Sequence, residues 1–133
     1  NAEDASNIWL WQVEECGSEP KKNVVCSKKV IVLVFKGMAN HGKVPTEEQW
    51  KVLAKSLNDL SPTFLNVLND KKLTENEYRV CVLVWLLFCP RELAILMNLS
   101  SSNISNIRKR MAYKIFGEDM SATKFDKRIR EIQ

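Results

Sequence analysis

Between Ser100 and Gly117 the chain carries hydroxyls, amides and cations, and no carboxylate at all. At 100° per residue, Ile104, Ile107, Met111 and Ile115 share one apolar stripe, and Ser102, Asn106, Lys109 and Tyr113 lie opposite. Asn103, Ser105 and Arg110 flank that outer face, Ser101 stands at its start, and Lys114 follows Tyr113. Such a set matches the edges and backbone of a nucleic acid. An Asn amide bonds adenine through two atoms, a Ser hydroxyl donates or accepts, and an Arg fork fits guanine or phosphate. Lys and Arg add salt-dependent attraction to phosphate, and a helix N-terminus adds partial positive charge. The candidate binding residues are therefore Ser101, Ser102, Asn103, Ser105, Asn106, Lys109, Arg110, Tyr113 and Lys114. Alone, a basic helix with an apolar back equally describes a solvated surface helix.

Other chemistries have little to work with. His41 is the one histidine, and the four cysteines (Cys16, Cys26, Cys81, Cys89) form no C-x-x-C pair, so neither metal nor cofactor is expected. No nucleophile–base pair and no Gly-rich phosphate loop is evident, which argues against an enzyme. The cysteines read as reduced thiols of a cytoplasmic protein. The apolar run from Val80 to Cys89 falls short of the ~20 residues a bilayer needs.

The whole chain of 133 residues has a net charge of +4, unevenly distributed. Residues 1–70 hold 8 Lys/Arg against 9 Asp/Glu, whereas residues 71–133 hold 12 against 7. A basic second half suits a phosphate-rich partner.

The elements that must position this face are punctuated clearly. Thr46-Glu47-Glu48-Gln49 and Thr74-Glu75-Asn76-Glu77 are capping boxes. The first opens a helix through Trp50, Leu53, Leu57 and Leu60, and the second a helix through Val80, Leu83, Val84 and Leu87. Ser61-Pro62 starts a short helix with Phe64, Leu65 and Leu68. Pro90 starts another that ends near Met97, with Leu93, Ala94 and Met97 inward. After Asn98-Leu99-Ser100, a helix capped by Ser100 or Ser101 runs to Phe116 and stops at Gly117. A last helix spans Ser121 to Ile132, with Phe125, Ile129 and Ile132 in register. Arg108 borders the apolar stripe, where Glu77 or Glu92 would be its partner.

Upstream the reading is less determinate. Asp4 to Cys16 fits a short helix, and Cys16 to Asn23 a breaker segment with Gly17 and Pro20. Ser27 to Ala39 contains the β-branched run Val30–Phe35, which reads locally as a buried strand. No partner strand occurs elsewhere, which favours a helix, and both stay open. Residues 1–43 form an N-terminal helical or linker segment, in which residues 1–2 read as a tag remnant on an excised fragment, and residues 44–133 form a helical domain.

A short helix over Pro90–Met97, joined by a tight turn to a second helix over Ser101–Phe116 whose N-terminal part would meet the base edges, reads as a helix-turn-helix unit within residues 73–117. This string resembles the C-terminal helix-turn-helix of LuxR-type regulators. Leu73, Thr74 and Glu77 fall on the family's L-T-x-x-E, and Glu92, Leu93 and Ala94 on its E-I-A. Leu99 and Ser100 fall on its turn, and Ile104, Met111, Lys114 and Ile115 on its V…I-x-x-K-L. Asn76 replaces the family's Arg, Leu87 its Gly, and Ser105 and Ile107 its Lys and His, which shifts the expected contacts to Asn103, Asn106 and Arg110. More narrowly, T-E-E-Q-W, P-x-F-L-x-x-L and K-I-F-G…F-D-x-x-I resemble the tail of Bacteroidetes regulators that carry tetratricopeptide repeats.

The resemblance implies an all-α fold, with a helix-turn-helix preceded by packing or dimerising helices. It implies sequence-specific binding of double-stranded DNA as the output domain of a bacterial transcription regulator, as a homodimer on paired half-sites. The parent would be membrane-anchored or repeat-bearing. The rival expectation is a protein-interaction module, in which the Asn/Ser/Arg face or Trp9-Leu10-Trp11 docks a partner on a scaffold that no longer binds DNA.

Overall fold

The computed structural model describes residues 19–132, and all regular structure among them is helical. Seven helices follow in order: α1 (Glu19–Asn40), α2 (Glu47–Leu60), α3 (Pro62–Asn69), α4 (Glu75–Trp85), α5 (Pro90–Met97), α6 (Ser101–Met111) and α7 (Ala122–Arg130). The expected helix over Asp4–Cys16 and the Trp9-Leu10-Trp11 cluster lie outside the described residues.

The β-branched run is helical. In α1, Ile31, Val32, Phe35 and Ala39 are buried, while Val30 and Val34 point out, so the apolar run divides between two faces. Helix propensity costs a few tenths of a kcal/mol for each β-branched residue. Burying an Ile, Val or Phe side chain returns about 1.5–3 kcal/mol each, so packing against α2 and α5 decides the outcome. The breaker segment expected up to Asn23 is corrected in its described part, because α1 already begins at Glu19. Pro20 falls in the first turn, where its missing N–H removes no helical bond. The four buried residues of α1 join the same core as the helices after residue 43.

The turn after α1 has Gly42 at φ +67°, and Lys43 donates its N–H to the Met38 carbonyl at 2.8 Å. Both expected capping boxes form. The Thr46 hydroxyl accepts from the Gln49 N–H at 3.2 Å, and Gln49 Oε1 accepts from the Thr46 N–H at 2.9 Å. At Thr74 the corresponding distances, to and from Glu77, are 3.2 and 3.0 Å. Ser61 ends α2 and caps α3, its hydroxyl accepting from the Phe64 N–H.

Helix α4 is the centre of the molecule. Val80, Cys81, Val82, Leu83 and Val84 are all buried, and α5, α6 and α7 pack around it. Its far end is held by aromatic and polar contacts: Trp85 stacks on Phe64 at 4.7 Å, and its indole N–H donates to the Ile132 carbonyl at 2.8 Å. The helix stops at Trp85, not at Leu87 as the apolar spacing predicts. Leu87 is half exposed and left-handed (φ +72°), and the Phe88 N–H reaches back to the Leu83 carbonyl at 3.0 Å. That backbone bond closes the helix end, and a Cβ there is a steric burden that a glycine would not carry.

Candidate functional site

Helix α5 and helix α6 are joined by Asn98, Leu99 and Ser100. Asn98 ends α5 in the left-handed conformation, which Asn tolerates better than most residues. Ser100 caps α6 by accepting from the Asn103 N–H at 3.1 Å. Leu93 and Leu96 are the buried residues of α5 facing the core, with Ala94 and Met97 half buried.

The inner face of α6 is as its spacing predicts. Ile104, Ile107, Met111 and Ile115 are buried, and the helix packs on α4, α5 and α7. Its last turn differs from a regular α-helix: Ala112–Phe116 widens into a π turn, closed by Gly117 at φ +72°.

The outer face brings most of the candidate residues together. Ser101, Ser102, Asn103, Asn106, Lys109, Arg110, Tyr113 and Lys114 are exposed, and Ser105 is half buried at the margin. Tyr113 is 61% exposed, unusual for a tyrosine, whose ring offers a flat apolar contact with a hydroxyl at its tip.

The cations divide into three kinds. Lys109 has no ion-pair partner among the described residues. Arg110 and Lys114 share the carboxylate of Glu77, Lys114 Nζ donating to Oε1 at 2.6 Å and Arg110 Nε to Oε2 at 3.3 Å. Glu77 itself is 1% exposed. Burial works against its charge, but the hydrogen bonds from Lys114, the Thr74 N–H and Arg110 outweigh it and hold its carboxyl below the usual carboxylate range. Arg108 is the third kind: it is buried and pairs with Asp126 of α7 through two bonds, Nε to Oδ1 at 3.0 Å and Nη2 to Oδ2 at 2.7 Å. The expected partners of Arg108, Glu77 and Glu92, are both engaged elsewhere.

Glu92 repeats the logic of Glu77 one helix on. It accepts from the Cys89 N–H at 2.8 Å, which caps α5, and from Lys36 of α1 at 2.9 and 3.1 Å. Lys36 also lies over the Phe88 ring at 4.5 Å. The first helix is thereby tied to the start of α5.

The carboxylates behind the face are what sequence spacing missed. A signal for Asp126 existed: an arginine between Ile107 and Met111 is buried with the stripe and demands a buried counter-charge. Nothing local says which helix supplies it. For Glu77, the sequence offers a capping role and a pairing with Arg108, and nothing in the spacing assigns it to Arg110 and Lys114 instead.

Elsewhere, an apolar hollow of about 200 Å³ lies between α2 and α4, floored by Trp50, Leu53 and Val82. Arg79 crosses its rim, bonded to Glu47 at 2.7 Å and Glu75 at 3.2 Å, with its guanidinium over Trp50. Among the described residues no three His, Cys, Asp or Glu cluster as metal ligands would, and no helix is long and apolar enough to cross a membrane. Comparison with protein-family models, curated proteins and solved structures finds no match.

Proposed function

We propose that residues 73–117 form a LuxR-like helix-turn-helix that binds double-stranded DNA, with α6 entering the major groove and α5 lying across the backbone. The domain is then the output domain of a bacterial transcription regulator. One observation carries this reading: α6 exposes hydroxyls, amides and cations with no carboxylate, while its opposite side is locked to three other helices. A rigidly backed helix with that composition suits base edges flanked by phosphates. Asn103 and Asn106 are the base-reading candidates, Lys109 the phosphate contact, and Ser101 and Ser102 the hydroxyls nearest the helix N-terminus.

Pairing of two such domains would match two half-sites. Exposed Val30 and Val34, one turn apart on α1, support an association through that helix. They equally support the rival reading, a module that docks another protein.

Binding to mixed genomic fragments across a salt series tests the proposal. Affinity should fall steeply with salt, and Lys109→Ala should make the log–log slope shallower by about one unit. Absence of binding at low salt overturns the DNA reading and leaves the protein-docking one.

A further inference from the structure

Two of the three exposed cations on the outer side of α6 are not independent charges. Arg110 and Lys114 converge from successive turns on Glu77, which is anchored a second time by the Thr74 N–H at 3.0 Å. Glu77 cannot follow them outwards, because it is buried at the third position of α4, whose N-terminus it caps. Its fixed carboxylate therefore sets where the two cations sit. Among the described residues only Nε of Arg110 is engaged, which leaves its two terminal amino groups as a planar fork on a side chain 57% exposed. Lys114, at 2.6 Å and 37% exposed, is held more closely.

We propose that Glu77 is a positioning residue for DNA recognition: it aims the Arg110 fork and cancels one of the two charges on Arg110 and Lys114, favouring sequence discrimination over general attraction to phosphate. The inference rests on the DNA-binding reading. Phosphate attraction scales with the number of cations offered and carries no sequence information, whereas a fork held in one orientation distinguishes base edges. A mobile Arg110 beside an unpaired Lys114 would reach phosphates on any sequence. Held by one carboxylate, the pair contributes a single net charge and one defined geometry.

Glu77→Gln separates these roles, because glutamine Oε1 still accepts from the Thr74 N–H in the capping box, while the charge and the acceptor that faces Arg110 Nε are lost. Two duplexes serve as probes: one isolated by selection from random-sequence DNA, and one of scrambled sequence. In the variant, the scrambled duplex should bind more tightly, with a log–log salt slope steeper by about one unit. The ratio of selected to scrambled affinity should fall by about tenfold. Lys114→Gln, which leaves the buried carboxylate opposite Arg110 alone, should shift the slope the opposite way by about one unit. If Glu77→Gln does not fold, Glu77→Asp, which keeps the charge and shortens its reach towards Arg110, should lower the ratio with the slope unchanged. An unchanged slope in Glu77→Gln or Lys114→Gln overturns the inference, as does an unchanged discrimination ratio in Glu77→Gln or Glu77→Asp. If the wild-type domain binds neither duplex, the DNA-binding reading itself fails, a distinct result.

Discussion

Arg108 and Asp126 form a two-bond ion pair, 3.0 and 2.7 Å, with both residues under a tenth exposed. It joins the helix proposed to read DNA to the last helix of the chain. A buried pair gives little net stability relative to a packed apolar pair, but removing one partner strands the other charge in the core.

Asp126→Ala is therefore expected to destabilise the domain by about 3–5 kcal/mol, measured by urea denaturation. The double change Arg108→Met/Asp126→Leu should recover most of that loss. A single variant within about 1 kcal/mol of wild type would show that Arg108 finds water or another acceptor.

Leu87 offers the opposite case. A left-handed backbone costs an L-residue about 1–2 kcal/mol, and glycine gives back part of the gain through the entropy of its unfolded chain. Because the Leu87 side chain is half exposed, Leu87→Gly should leave the domain as stable as wild type or more stable by up to about 1 kcal/mol. A loss larger than about 1 kcal/mol would mean that the leucine side chain, not the backbone, governs this position.

Acid should expose the two buried capping glutamates. Burial opposes the charge of Glu92, but the Cys89 N–H and Lys36 outweigh it, so its carboxyl, like that of Glu77, is held below its ordinary value of 4.5. A depressed folded value means the stabilisation is complete above the ordinary value and is lost as pH falls through the folded one. The stability gap between wild type and Glu92→Gln should thus be widest near neutrality and narrow below about pH 4.5. A gap independent of pH would exclude the charge of Glu92 as its source.

Thiol labelling distinguishes Cys81 from Cys89. Burial, with Asp126 adding to it, pushes the Cys81 thiol far up, whereas Cys89 is exposed. In a Cys16→Ser/Cys26→Ser background, a disulfide reagent should modify Cys89 in the native protein and reach Cys81 only on unfolding. Rapid native labelling at both positions would show that α4 opens locally.

Much of this architecture is settled by short-range chemistry. Thr46 and Thr74 find their partners within three residues, and so both capping boxes are readable from the sequence alone. The stripe from Ile104 to Ile115 and the exposed face opposite it follow from helical geometry, which needs no knowledge of neighbours. The left-handed turn at Leu87 has no such local sign, because the apolar spacing carries the helix through it.

What only the tertiary structure decided involves partners distant in the chain. The run from Val30 to Phe35 reads locally as a strand, and only the want of a partner strand favours a helix, until packing on α2 and α5 decides it. Arg108 advertises a buried charge, but its counter-ion comes from α7, and Glu92 turns instead to Lys36, 56 residues away. Lys109, Arg110 and Lys114 look alike in the sequence. Folding places the Glu77 carboxylate beneath two of them and leaves the third without an ion-pair partner among the described residues, because pairing across helices depends on packing and not on spacing.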